Sequence, residues 1–531
     1  MSPRASAPRT PRVPRHWRRH LLAVTFGGLT GLAWQPANLW PLAVLGVAAL
    51  TLLVTYSPQG QPGLRSSFAT GWFFGLGLCT VSIVWVSVIG WYVAPPLVAF
   101  MALWQGLVGL VVAASWRLSS NPLVRAVLAA TGWSLAEFGA CRVPFGGFGW
   151  IRLAYSQVDS PLGGWLPLVG VAGTSLAVAL SGTLLAVAVN RTVARTARLA
   201  AIGAIILLWG LAPLVSRFPA GPDGRNVTVG IVQGNVDGSG GPEAMGYARS
   251  VTVNHVSQTV NLMARARAGL LPKPDFVLWP ENSTDVDPAH DQVTRDLIMA
   301  ASQLADVPVL IGAVTRGPGA DERQTTAIWW PTDGVPGARY EKRNLVPFGE
   351  WIPLRQQLLP LFPILEQVGP QSVPGTSPGV LHVDLPDGRP LVIGDVICFE
   401  LAWDDTVRDT VTNGARILVS QSNTGTYTGT WQPQQQFAIT RARAMELRRE
   451  VVVSTTNSIS GLVHADGSVE DLTKEATAAS RSVIVPERTA LTPAVRVAPL
   501  LELAASALAS VALLGICWDF VRRGRGAPRR Q

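Results

Sequence analysis

Apolar positions divide this chain into two kinds of segment. Residues 20–36, 39–56, 67–93, 95–116, 124–140, 164–189 and 198–216 are long apolar runs with few charges, and after a wide gap one more follows at 498–520. A helix needs about 20 apolar residues to cross the hydrocarbon core of a bilayer, so the pattern predicts about eight spans, the first and fifth being short. Between 217 and 497 the rhythm changes. Short β-branched runs recur at Val227–Val232, Phe276–Leu278, Val307–Ile311, Ala327–Trp330, Leu391–Ile393, Ile417–Val419 and Val451–Val453, with helical patterns at 249–268, 290–305 and 432–448. Such alternation predicts a layered α/β domain.

The loops orient the spans. Basic residues fall after span two (Arg65), span four (Arg117, Arg125) and span six (Arg191, Arg195, Arg198), and none falls after spans one and three. By the positive-inside rule both termini are cytoplasmic and 217–497 lies outside the cytoplasm. Gly31-Leu32-Ala33-Trp34 is a poor signal-peptide cleavage site and a second span follows at once, so the first span is expected to be retained. The domain reading is a basic tail 1–19, a transmembrane domain 20–216, an α/β domain 217–497, a final span 498–520 and a basic tail 521–531. Arg142 and Arg152, in the outer loop 141–163, break the charge rule. Two readings of them stay open: cations that hold phospholipid headgroups, or loop salt bridges or hydrogen bonds.

Composition agrees with a membrane protein. Only 15% of residues are charged, and mean hydropathy is +0.28. The net charge of +9 comes largely from Arg clusters at the two ends, which suit a cytoplasmic membrane face rather than nucleic acid. Cys79 and Cys517 fall inside apolar runs and Cys141 at the end of one, which leaves Cys398 without a partner in the polar segment. A disulfide framework is therefore not expected.

Three polar residues carry candidate chemistry. Glu281 follows the run Leu278-Trp279-Pro280, Lys342 lies in Tyr340-Glu341-Lys342-Arg343, and Cys398 closes Gly394-Asp395-Val396-Ile397. A thiol needs a base or a nearby cation to become a nucleophile. Glu281 suits the base, and Lys342 suits the stabiliser of a thiolate and an oxyanion. Glu350 and Glu400 are further carboxylates near the Lys and the Cys. Against this stands the plainer reading of a turn, a surface lysine and a buried structural cysteine. His255, His290, His382 and His464 sit in no nucleophile motif, no Cys/His cluster has zinc-ligand spacing, and Gly-rich 234–241 lacks the form of a phosphate loop.

The polar segment resembles the carbon–nitrogen hydrolase (nitrilase) superfamily, and with its flanking spans the chain resembles the apolipoprotein N-acyltransferase family over about residues 20–520. The motifs are Val232-Gln233-Gly234-Asn235, Trp279-Pro280-Glu281, the stretch from Lys342 to Pro353, Cys398-Phe399-Glu400 and Arg441-Ala442-Arg443-Ala444-Met445-Glu446. The resemblance implies an αββα sandwich, a Glu281-Lys342-Cys398 triad supported by Glu350, Phe399 and Glu400, and no cofactor or metal. It further implies a phospholipid acyl donor, an S-diacylglyceryl-cysteine lipoprotein acceptor, a monomer in the bacterial cytoplasmic membrane and no nucleic acid partner. A tethered amidase and an inactive scaffold are the competing readings. Two stretches depart from the family: Val236–Gly246 has no Trp, and Ser422-Asn423-Thr424-Gly425-Thr426-Tyr427 replaces its usual sequence. The apolar stretch Trp351–Val368 is expected to be either a lipid-facing lid or a core helix.

Overall fold

The computed structural model describes residues 15–55, 62–216, 221–236 and 248–525. Residues 1–14 and 526–531 of the two basic tails, and most of the Gly-rich stretch after Asn235, lie outside the described residues. The N-terminal part is a bundle of α1 (Arg15–Gly31), α2 (Pro41–Thr55), α3 (Leu64–Ile83), α4 (Ala94–Leu118), α5 (Pro122–Ala140), α6 (Leu166–Val189) and α7 (Arg195–Val215). Among the described residues five helices are long and apolar enough to cross a membrane: Leu64–Val88, Ala94–Leu118, Pro161–Val189, Arg195–Val215 and Ala494–Trp518. The other expected spans are shorter or less apolar: α1 has 17 residues, α2 has 15, and α5 contains Arg125 and Glu137.

Glycines set how closely the bundle packs. A Cβ on Gly71 would lie 2.1 Å from the Gln105 carbonyl oxygen, and one on Gly77 2.0 Å from that of Val24. The backbones of α3 and its neighbours touch there, the close approach that drives helix association in lipid.

The β-branched runs form strands where they are predicted, in two sheets. The first contains β1 (Asn226–Gln233), β2 (Phe276–Leu278), β3 (Val309–Arg316), β4 (Glu322–Trp330), β5 (Arg339–Glu341) and the two-residue β6 (Gln371–Ser372). The second contains β7 (Val380–Asp384), β8 (Pro390–Ile397), β9 (Ile417–Ser422), β10 (Val451–Thr455), β11 (Gly461–Val463) and β12 (Val469–Glu470), and β13 (Ala479–Pro486) returns to the first. The orders are β13-β1-β2-β3-β4-β5 and β12-β11-β10-β9-β8-β7. Inward side chains of both sheets, among them Val229, Leu278, Ile393, Val419 and Val452, form one buried core.

Helices cover both outer faces. The helices α8 (Ser250–Arg267) and α9 (Gln292–Ala305) pack on the first sheet through Leu262, Met263 and Ile298. The helices α11 (Asp404–Thr412) and α12 (Gln432–Leu447) cover the second, beyond a four-residue α10 (Arg355–Leu358). This is the expected αββα sandwich. Its α11/α12 layer belongs to the same apolar core as the bundle, with Val407, Ile439 and Leu447 continuous with Leu153, Leu162 and Trp133. The long α13 (Ala494–Arg525) then runs back along α5 and α6.

Candidate active site

The strands β1, β2 and β3 are parallel, as are β8, β9 and β10. Their C-terminal ends face one rim, the usual place for reactive groups in such sheets. Glu281 stands three residues beyond β2. Its turn is held by the Trp279 N–H on the Leu310 carbonyl, 2.9 Å, and by the Gln421 side-chain amide on the Trp279 carbonyl, 2.6 Å. Lys342 follows β5, and its N–H donates to the Thr325 carbonyl at 2.9 Å. The Lys342 Nζ donates to Glu281 Oε1 at 2.8 Å and to Glu350 Oε1 at 3.0 Å. Glu281 Oε2 accepts from the Asn423 N–H at 2.8 Å, and Glu350 Oε2 from the Val346 N–H at 2.7 Å. Lys342 is 1% exposed and Glu281 4%. Charges buried this deeply persist only when paired and hydrogen-bonded.

Cys398 terminates β8 with φ +53°. That left-handed backbone costs a non-glycine residue about 1–2 kcal/mol, so the surroundings must hold it. Glu400, fully buried, does so. Its Oε2 accepts from the Ile397 N–H at 2.9 Å, and its Oε1 from the Arg343 N–H at 2.7 Å, the Asn344 N–H at 3.1 Å and the Tyr340 hydroxyl at 2.8 Å. One carboxylate thus ties the thiol's turn to the segment carrying Lys342. Replacing Glu400 with Gln puts an NH2 among these donors and loosens the turn. We expect kcat to fall about 10²-fold, the scale of an ångström-sized misplacement, with KM for the acceptor nearly unchanged in steady-state kinetics.

The electrostatics make the resting sulfur a thiol. Burial pushes the Cys398 pKa well up, Glu281 and Glu350 push the same way, and Lys342 opposes them without winning. Burial also raises the Glu281 carboxyl, with Glu350 adding to it and Lys342 opposing. The Lys342 ammonium is held well above its usual range because Glu281, Glu350 and Cys398 together outweigh burial. The site therefore has a persistent cation, a carboxylate with raised proton affinity, and a thiol that must give up its proton when it reacts. Asp395, three residues before the thiol, is fully buried with both carboxylate oxygens unpartnered among the described residues, and nothing in the sequence singled it out. Among the described residues no group of His, Cys, Asp and Glu is arranged to hold a metal ion.

The thiol's neighbours reach into the bundle. The Phe399 ring stacks 6.0 Å from Phe148 and 6.1 Å from Trp150, and Trp85 packs edge-on against Tyr427 at 5.2 Å. Gln435 Oε1 accepts from the indole N–H of Trp85 at 2.9 Å and of Trp150 at 2.8 Å. Tyr427 thus comes from the stretch that departs from the family pattern.

Arg142 and Arg152 prove to be ion-paired. Arg152, 2% exposed, bonds Glu137 of α5 at 3.1 Å, Asp404 at 2.6 Å and Glu502 of α13 at 3.0 Å. Arg142 pairs with Glu502 at 2.8 Å. Asp404 also takes Arg443 at 2.6 Å, and Arg443 pairs with Glu446 at 2.6 Å and bonds the Leu401 carbonyl at 2.8 Å. Glu446 Oε1 accepts from the Val171 N–H at 3.1 Å, at the kink where Gly170 takes φ +65°. Of the two readings of these arginines, the structure shows ion pairing. The partners lie far apart in sequence, which is why charge counting along the loop did not find them.

The stretch after Glu350 is not a core helix. Leu354, Leu361, Phe362 and Ile364 are exposed, as is Phe348, and no side chain of α10 is buried. Phe145 of the bundle loop meets Phe348 and Trp351 edge-on at 6.5 and 6.2 Å.

Residues 26–184 match the family model of the apolipoprotein N-acyltransferase N-terminal domain, and residues 228–483 that of carbon-nitrogen hydrolase. The chain is 34% identical over 532 residues to the apolipoprotein N-acyltransferase of Mycolicibacterium smegmatis, covering 96% of this chain and 86% of that one. The chain belongs to the apolipoprotein N-acyltransferase family. It is also 28% identical to the apolipoprotein N-acyltransferase of Azotobacter vinelandii, over 96% of this chain and 97% of that one. Among solved structures, a variant of a Nesterenkonia amidase of the nitrilase superfamily is 15% identical, with a TM-score of 0.36, covering 50% of this chain and 92% of that one. The family assignment accounts for a nitrilase-type sandwich joined to a membrane bundle in one chain.

Proposed function

We propose that this acyltransferase moves an acyl chain from a membrane phospholipid to the free α-amine of the S-diacylglyceryl cysteine that begins a bacterial lipoprotein. The observation that carries the mechanism is Lys342 Nζ held between Glu281 and Glu350, beside the strained turn of Cys398. Glu281 takes the thiol proton as Sγ attacks the donor ester carbonyl. Lys342 and the Phe399 N–H face the oxyanion. The ester C–O bond breaks, Glu281 returns the proton to the leaving alkoxide, and a lysophospholipid departs from a Cys398 thioester. The acceptor amine then attacks, Glu281 takes its proton, the C–S bond breaks, and the proton returns to Sγ as the amide forms.

The setting is proposed with it. The catalytic domain lies outside the cytoplasm, both termini inside, and about eight helices cross the bacterial cytoplasmic membrane, in which the protein works as a monomer. The domain borders are those read from the sequence. The exposed Leu354, Leu361 and Phe362 supply the lipid-facing surface expected of the lid. When purified protein is incubated with phospholipid and a diacylglyceryl-cysteine peptide, the peptide is expected to gain one acyl mass with an equal amount of lysophospholipid formed. Free fatty acid with unmodified peptide would instead indicate a hydrolase.

The pH dependence has a definite sign. A base with raised pKa is protonated up to higher pH, so the acid limb of kcat lies above the ordinary glutamate value of about 4.3. Glu350 is one cause of that rise. Glu350→Gln removes a negative neighbour and is expected to shift the acid limb to lower pH in a pH–rate profile.

A further inference from the structure

A large cavity lies far from the thiol. It has a volume of about 1840 Å³ and opens between α1, α2, the α4–α5 corner and the end of α6. Its arginines sit among the N-termini of α1, α3, α5 and α7 and the C-termini of α2, α4 and α6, and its apolar wall runs along α1 as far as Leu29 and along α2 from Leu42. The catalytic domain meets the opposite ends: the Gly170 kink near the start of α6, Glu137 near the end of α5, and Glu502 near the start of α13. The cationic mouth of the cavity therefore belongs to the other side of the membrane from Cys398.

Its walls are apolar and its ends are cationic. Leu22, Phe26, Leu45, Leu52, Leu185 and Val189 line it, together with Arg18, Arg19, Arg125 and Arg191. None of its lining residues is acidic. The first acidic residue in the chain is Glu137, after nine arginines and no lysine. Neither the 1–14 segment nor the 56–61 loop can therefore supply a carboxylate. Among the described residues Arg19 donates only to the Ser66 hydroxyl at 3.0 Å and the Val54 carbonyl at 3.2 Å, and its buried Nε has no partner. Arg125 donates to the Ser119 carbonyl at 2.6 Å and the Trp116 carbonyl at 3.5 Å, and lies 4.6 Å over the Trp116 ring. Contrast Arg152, which satisfies its charge with three carboxylates of this chain. Among the described residues these two guanidiniums have neutral partners only, which leaves their charge open to an anion from another molecule.

We infer that this groove binds an anionic phospholipid of the leaflet opposite the catalytic domain, its phosphate between Arg19 and Arg125 and its acyl chains along the α1, α2 and α6 walls. Charge complementarity selects the occupant. Basic pockets between membrane helices on the cytoplasmic side hold anionic lipid headgroups, and the cavity exceeds the roughly 300–1,000 Å³ of a site for a small ligand. The lipid is not the acyl donor, because it cannot reach Cys398 from this end. Only the naming of that leaflet as cytoplasmic rests on the proposed topology.

The test is native mass spectrometry of the full chain, delipidated in detergent and offered phosphatidylglycerol and phosphatidylethanolamine in equal amounts. One phosphatidylglycerol should be retained at least tenfold over phosphatidylethanolamine. Arg19→Gln with Arg125→Gln, which removes the charges, and Leu52→Trp, which fills the groove, should each reduce retention at least tenfold. Acyl transfer at saturating donor should change less than twofold in both. Equal retention of the two lipids by the wild type, no retention at all, or wild-type retention by both variants would overturn the site. The retention assay reads the groove whether or not acyl transfer is observed, so failure here and failure of the proposed reaction are distinguishable.

Discussion

Lys342→Met is expected to reduce acyl transfer at least about 10³-fold while leaving a folded protein. Two losses combine. The oxyanion loses a preorganised donor, worth roughly 10²–10³ in kcat. The base is lost as well, because among the described residues Lys342 is the only cation bonded to Glu281 and Glu350. Without it the two buried carboxylates repel, one takes up a proton, and general-base catalysis, worth about 10²–10⁴, is impaired. That proton uptake is also why the fold survives. Breaking a buried ion pair costs about 3–5 kcal/mol when the remaining charge stays ionised, and less when it is neutralised. Arginine should not rescue activity, since its planar guanidinium does not reproduce a compact ammonium held between Glu281 and Glu350. The check is kcat/KM with a diacylglyceryl-cysteine peptide beside a thermal melt; more than a tenth of wild-type activity in Lys342→Met would contradict the assignment.

Arg152→Met is expected to do the reverse, acting on structure first. The residue touches none of the reacting groups. Its loss takes from Glu137 its ion-pair partner among the described residues and leaves Asp404 to Arg443 and Glu502 to Arg142, where α5, α13 and the start of α11 meet. The cost is about 3–5 kcal/mol, a large part of the about 5–15 kcal/mol that holds a typical domain. Burial pushes the Asp404 carboxyl up, but Arg152 and Arg443 outweigh it and hold it well below the usual range. Asp404 therefore stabilises the docked state above its unfolded pKa of about 3.9 and loses that contribution only as pH falls through its folded value. Hydrogen exchange should rise at 397–404 and at the start of α13 in the variant, with activity falling because the Cys398 turn adjoins Asp404. Unchanged exchange at both places would show that the cluster does not fasten the domain to the bundle.

Much of this architecture was legible because hydrophobic period reports burial directly. The β-branched runs marked β1, β2, β3, β4, β8, β9 and β10, and Glu281 and Cys398 could be placed at strand ends because apolar runs stop just before them. What periodicity cannot report is which element faces which across a layer. Glu281 and Lys342 are 61 positions apart and come to 2.8 Å only through the order of the first sheet. Glu400 was legible as a nearby carboxylate, but its work depends on donors from Tyr340, Arg343 and Asn344 across the site. Arg152 was conspicuous as a charge on the wrong side of a loop. Its partners in α5, α11 and α13 depend on how the sandwich docks on the bundle, which no local pattern encodes. The short helices α1 and α2 show a related gap, since 17 and 15 residues are too few for length alone to assign them as spans.

The thioester is the central claim, and intact mass tests it most directly. Purified, freshly reduced protein is incubated with a phospholipid carrying a labelled acyl chain, without acceptor, alongside Cys398→Ala. The account predicts one labelled acyl mass on the wild type and none on the variant, discharged by a diacylglyceryl-cysteine peptide and only slowly by water. An unmodified wild-type mass, or the same adduct on Cys398→Ala, would contradict it.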